Sequence, residues 1–182
     1  MNISKQEAQE SLAEIESVIF QTRKKIAHSS ASFSLILWGV IWVIGFLGVQ
    51  FSPKVASWLW LALIFIGFIV TWVRMKKSAF QRPGGHRILL GWLILVGYLL
   101  LWSFLLHLNG RESIAFSSTL FMCGYVIIGL WLGRFWILLG LIVTALTVAG
   151  FYLLPAWFAL WMAVTGGGSL ILSGLFIRKF WR

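Results

Sequence analysis

Polar and charged residues fall in short islands along this chain, and long apolar runs fill the intervals between them. Six runs can be bounded, at about residues 31–51, 55–73, 88–108, 113–133, 135–154 and 156–177. Each is close to the roughly 20 residues an α-helix needs to cross a ~30 Å hydrocarbon core. Lipid offers backbone groups no hydrogen-bond partner, so apolar runs of this length are expected to be helices that bond internally. The islands carry turn chemistry: Ser52-Pro53-Lys54, Pro83-Gly84-Gly85, Asn109-Gly110 and the helix-breaking Pro155. The expected architecture is an all-α integral membrane protein, with residues 29–182 forming six transmembrane helices in a compact bundle.

Residues 1–28 follow a different pattern. Ser4 and Glu7 have capping-box spacing, and Ala8, Leu12, Ile15, Ile19, Thr22 and Ile26 recur every three or four residues. That draws one narrow apolar stripe on a polar helix. Glu7, Glu10, Glu14 and Glu16 come early and Arg23, Lys24 and Lys25 late, an order that suits the helix dipole and sets the cations beside headgroups. A cytoplasmic amphipathic helix is expected, resting on the membrane or on the protein itself. A coiled-coil seam with another chain is the alternative. No short apolar core with a small-residue cleavage site precedes the first run, so that run is expected to act as an uncleaved signal-anchor.

Charge fixes the expected orientation. Five of the 15 Lys and Arg residues lie between the second and third runs: Arg74, Lys76, Lys77, Arg82 and Arg87. Cation-rich short loops stay cytoplasmic, because carrying them through hydrocarbon is costly. Alternation from that loop puts both termini in the cytoplasm and leaves only Lys54 and Arg111 outside. The same five residues are the expected contacts for anionic headgroups. Trp72, Trp92, Trp131, Trp136 and Trp181 then fall near the inner interface and Trp58, Trp60 and Trp157 near the outer one, where amphipathic rings anchor. The chain is 60% hydrophobic and 11% charged, with a mean hydropathy of +0.92. The net charge of +10 is accounted for by helix-end cations, so no nucleic-acid partner is expected. Each hairpin's second helix ends apolar-apolar-Arg, at Arg74, Arg134 and Arg178; the positive-inside rule alone produces this likeness, so no internal repeat is inferred.

Catalytic chemistry finds little footing. Every Lys, Arg, Asp and Glu lies in a loop, a tail or at a run's end, so no ion path or proton relay is marked by a buried charge. Carboxylate pairs, a nucleophile triad and phosphate-binding loops are lacking, and the chain is expected not to be an enzyme and to hold no cofactor or metal. His28, His86 and His107 do not offer two ligands at one depth on facing helices, which haem would need. His107 with Arg111 and Glu112 reads as a solvated turn. The lone Cys123 excludes an internal disulfide and reads as a small packing residue.

Small residues carry the remaining signal. Ala115, Thr119 and Cys123 recur every four residues, as do Thr165, Ser169 and Ser173, and Gly129 and Gly133 form a GxxxG pair. Such ridges let helices approach closely and let hydroxyls bond across the contact. Gly166, Gly167 and Gly168 stand consecutively in mid-run, each weakening the helix by about 1 kcal/mol relative to Ala. Close packing of another helix would compensate, as would a kink that opens carbonyls to a solute. Thr165 to Ser169 is therefore the candidate helix contact or path. Two functions follow. One is a non-enzymatic scaffold or regulator of the bacterial cytoplasmic membrane, engaging a partner protein or a second copy through its N-terminal helix and basic loop. The alternative is a small carrier or channel with a path near Thr165–Ser169; an enzyme acting on lipids is a distant third.

Overall fold

The computed structural model describes residues 31–78 and 85–180, with backbone alone described for 75–78 and 85–89. The amphipathic helix expected in residues 1–28 lies outside the described residues, as does Arg82. Helices account for all the regular structure among the described residues. These are α1 (Ala31–Phe51), α2 (Pro53–Ser78), α3 (Gly85–Leu106), α4 (Gly110–Leu132), α5 (Arg134–Leu153) and α6 (Phe158–Phe180). All but α3 contain a stretch long and apolar enough to cross a membrane; α3 offers the apolar stretch Leu90–Leu106.

The breaks between helices are local chemistry. Ser52 alone separates α1 from α2, with Val55 N–H bonding back to Ser52 O at 3.1 Å. Asn109 caps α4: its side chain accepts from Glu112 N–H at 3.0 Å, and Glu112 Oε2 accepts from Asn109 N–H at 3.2 Å. The Asn109-Gly110 signal thus marks a helix start as well as a turn. Gly133 separates α4 from α5 at φ 116° and ψ 167°, a region open to Gly and closed to residues with a Cβ. Before α6, residues 155–157 make a turn at Pro155. Within α6, Ala163–Gly167 form a π-helical turn between two α-helical segments.

Packing places α1 at the centre. On one side it meets α6. On another it meets α4, where the Trp42 and Phe121 rings lie 6.4 Å apart. The helices α4 and α5 pack closely: a Cβ on Gly140 would stand 2.7 Å from Met122 O, and one on Gly129 would stand 2.7 Å from Ile137 N. The bond from Trp161 Nε1 to Leu146 O, 2.8 Å, fastens α6 to α5. Leu35, Phe46, Met122, Val143, Phe158 and Met162 fill the interior of this four-helix core. Outside it, α2 lies on α1 through Trp38–Phe68 and Phe46–Trp60 ring contacts at 5.3 and 5.2 Å. Correspondingly, α3 lies on α4 through Trp92, 6.0 Å from Phe121 and 5.1 Å from Tyr125. Large apolar side chains cover the outer surface, up to Trp131 at 78% exposed, a surface suited to lipid and not to water.

Neighbouring helices run in opposite directions, which sorts the described cations by end. The Arg74 guanidinium sits 3.9 Å from the Phe33 ring centroid, and Phe135 stacks on Phe176 at 6.1 Å. Arg74, Arg134, Arg178 and Lys179 therefore share one end of the bundle. At the other end Gln50 reaches Ala156 O at 3.4 Å, and Arg111 lies 4.6 Å over Phe151. Lys54, at the α1–α2 turn, belongs to this second end.

Candidate functional site

The candidate segment Thr165–Ser169 sits where α6 crosses α1. Its three glycines do different things. A Cβ on Gly167 would meet Val43 Cγ2 at 2.6 Å, Gly39 O at 2.9 Å and Val43 N at 3.0 Å. Two of those atoms are backbone, so Gly167 is a point of close backbone approach between α6 and α1. Gly166 faces the Trp42 ring, with a Cβ 3.0 Å from Cε3. Gly168 faces open space, and a Cβ there meets nothing within 4 Å. Thr165 Oγ1 donates to Trp161 O of its own helix at 2.8 Å, and Ser169 is half-buried. Gly166 and Gly167 are thus occupied by α1, whereas Gly168 meets no neighbouring helix among the described residues.

The contact extends beyond the triplet. One stretch further along, Gly174 packs on Ser32: a Cβ on Gly174 would stand 2.8 Å from Ser32 O, and Ser32 Oγ donates to Gly174 O at 2.7 Å. Reciprocally, a Cβ on Gly39 would stand 2.8 Å from Gly167 O. Ser32 and Gly39 are seven residues apart on α1, and so are Gly167 and Gly174 on α6. Seven residues nearly complete two helical turns, so each pair falls on one stripe and the two stripes face each other. Gly167 stands out in the sequence as part of a triplet, whereas Ser32, Gly39 and Gly174 stand singly; their shared spacing is the signal that finds them.

Other small residues behave differently from the ridges expected of them. Thr119 Oγ1 donates to Ala115 O and Phe116 O, at 2.8 and 3.1 Å, within its own helix. Gly129 packs on α5, but its expected GxxxG companion Gly133 is the interhelical link with nothing near a Cβ. Cys123 is exposed on the outer face of α4. The tryptophans divide as well. Trp58, Trp72, Trp131 and Trp157 are exposed, whereas Trp60, Trp92 and Trp136 are half-buried in ring contacts between helices.

Of the expected headgroup contacts, Arg74 has a described side chain, held against Phe33. Lys76 and Lys77 fall in the last turn of α2 and Arg87 in the first turn of α3. Ser118 is fully buried on α4 and its hydroxyl has no hydrogen-bond partner among the described residues. By the register that pairs Gly129 with Ile137 and Gly140 with Met122, it lies opposite Thr147 on α5, whose Oγ1 donates to Val143 O at 2.8 Å. Among the described residues, no group of three His, Cys, Asp or Glu side chains could hold a metal ion.

Fold and contact together define an all-helical membrane protein in which the α1–α6 seam closes the core. No protein family matches the chain, and none of the curated proteins or solved structures compared with it does either.

Proposed function

We propose that the chain is a non-enzymatic, six-span component of the bacterial cytoplasmic membrane that acts as a scaffold or regulator. Its N-terminal helix and the basic segment between α2 and α3 face the cytoplasm and engage a partner protein, and α3 completes the six spans. The observation that carries this reading is the filling of the triplet. Gly166 and Gly167 lie against Trp42, Val43 and Gly39, so the place best suited to a solute path is taken up by helix packing. The distribution of charge supports the orientation: Arg74, Arg134, Arg178 and Lys179 gather at one end. Partner capture tests the function. Full-length protein solubilised from native membranes should co-purify a partner, and a chain lacking residues 1–27 should insert normally and lose it. Retention of the same partner by the truncated chain would refute the assignment.

A carrier is the second reading, favoured by the π-helical turn at Ala163–Gly167 together with the unpartnered Ser118 hydroxyl in the core. π-Helical turns recur at functional sites because they displace backbone groups from the regular ladder. Uptake into proteoliposomes that is lost in Ser118→Ala would establish it over the scaffold.

A further inference from the structure

At the end of the bundle that gathers the described cations, α5 begins where α6 finishes. Phe135, the second residue of α5, stacks on Phe176 of α6, with ring centroids 6.1 Å apart and planes 8° from parallel. Phe180 continues the row 4.8 Å from Phe176, and Trp136 meets Phe135 edge-on at 5.8 Å. Lys179 and Phe180 follow Phe176 by three and four residues, so the three share a face of α6. The Lys179 ammonium lies 5.4 Å over the Phe180 ring. Arg134 opens α5 directly before Phe135. Arg178 stands apart from this patch: it follows Gly174 by four residues and so falls on the α1 side of the helix.

The patch calls for two kinds of contact at once. Phe176 and Phe180 stay 45% and 62% exposed in spite of their ring contacts. Arg134 and Lys179 are exposed as well, and no carboxylate lies at this end among the described residues: Glu112, the one acid they include, caps α4 at the opposite end. Cations at the rim with uncovered rings below complement a molecule that is anionic at its head and apolar along its length. A water-soluble anion would leave the rings uncovered, and a zwitterionic lipid brings a cation of its own. We infer that the α5–α6 end holds one anionic phospholipid of the phosphatidylglycerol class, its phosphate between Arg134 and Lys179 and an acyl chain along Phe176 and Phe180. Guanidinium and ammonium groups bond phosphate oxygens by charge-assisted hydrogen bonds, the guanidinium as a planar fork. Rings stacked across two helices offer the chain a fixed surface for dispersion contacts. The inference is independent of the scaffold reading and uses the proposed orientation only for the leaflet that supplies the lipid.

Native mass spectrometry tests it without regard to sidedness. Full-length protein, stripped of lipid in detergent, is mixed with equal amounts of phosphatidylglycerol and phosphatidylcholine, and the lipid adducts are counted. The unmodified protein should carry one phosphatidylglycerol at several-fold higher occupancy than phosphatidylcholine and keep it to higher collision energy. Arg134→Gln/Lys179→Gln should bring that occupancy down to the phosphatidylcholine level. Lys54→Gln/Arg111→Gln, at the opposite end, should leave it unchanged. Phe176→Leu/Phe180→Leu should lower the collision energy at which the adduct is lost and keep the headgroup preference. Equal occupancy by the two lipids on the unmodified protein, a result that needs no variant to fold, would overturn the inference by showing ordinary annular lipid. A preference kept in Arg134→Gln/Lys179→Gln, or lost in Lys54→Gln/Arg111→Gln, would overturn it by placing the lipid elsewhere. An adduct equally durable in the phenylalanine variant would overturn the acyl-chain placement. A several-fold gain of phosphatidylglycerol in Glu7→Gln/Glu10→Gln/Glu14→Gln/Glu16→Gln would overturn it by assigning the two cations to the chain's own acids.

Discussion

Replacing Gly167 and Gly168 with Ala, one at a time, isolates the cost of the α1–α6 approach. Both are consecutive glycines of one helix, so each substitution gains the same helix propensity, about 1 kcal/mol. Their surroundings differ. The Gly168 Cβ enters open space, whereas the Gly167 Cβ stands 2.9 Å from Gly39 O and 3.0 Å from Val43 N. Carbon and carbonyl oxygen settle at about 3.3–3.6 Å even in favourable C–H···O contacts, so α1 must withdraw by several tenths of an ångström. Overpacking of this kind costs about 1–3 kcal/mol. Gly168→Ala should therefore gain up to about 1 kcal/mol, and Gly167→Ala should range from neutral to a loss of about 2 kcal/mol. The difference between the two variants is the strain itself. Gly167→Leu, with three more carbons aimed at Val43, should fall below both. Reversible unfolding by SDS titration in mixed micelles measures the differences, and thermal melting in detergent checks their order. Equal stability of the two alanine variants would refute close α1–α6 packing at Gly167.

Further expectations can be measured in the same assays. Gly133→Ala should lose about 1–3 kcal/mol although its Cβ meets nothing, because φ 116° with ψ 167° admits essentially only Gly; unchanged stability would refute the strained link. Ser32→Ala removes the bond to Gly174 O and should cost about 0.6 kcal/mol, the average for interhelical hydrogen bonds in membranes, while a gain in stability would show that bond to be unimportant. A cysteine at Ser78, in a Cys123→Ser background, should resist an impermeant thiol reagent in intact cells and react after permeabilisation; ready labelling from outside would overturn the proposed orientation.

The helix bounds were legible because membrane spans follow from composition alone. α1 occupies 31–51 as expected, and α4 and α5 start within three residues of expectation, since apolar length and turn residues decide both. What lay beyond reach was which helix sits where. A helix in lipid is apolar on every side, so the periodicity that reveals the buried face of a soluble helix is absent. Nothing in the run of Leu, Ile and Trp along α1 distinguishes it from α2, although Trp42 is 5% exposed and Trp58 is 73% exposed. The Gly triplet was visible as an anomaly, but its composition could not divide Gly167, in contact, from Gly168, in the open. A π-helical turn leaves no sequence mark at all. Hydroxyls were misleading for a related reason: Thr119 and Thr165, like Thr147, bond carbonyls of their own helices, so a ridge of small residues that includes a Thr does not by itself signify a polar contact between helices.

The seam between α1 and α6 also constrains how the bundle is completed. Ser32 and Gly174 are 142 residues apart, so the first described helix waits for the last before its small-residue stripe is covered. Until then α1 can be supported by α2 through the Trp38–Phe68 and Phe46–Trp60 contacts and by α4 through Trp42 and Phe121. The α4–α5 pair has its own close register at Gly129 and Gly140 and needs neither α1 nor α6 to form it. α6 bridges α5 and α1: Trp161 reaches Leu146 on α5 while Gly167 and Gly174 meet α1. The glycines in α6 weaken that helix, so their place in the chain is intelligible only at this contact. A bulkier α6 would still cross the membrane but could not come close enough to both neighbours to close the core.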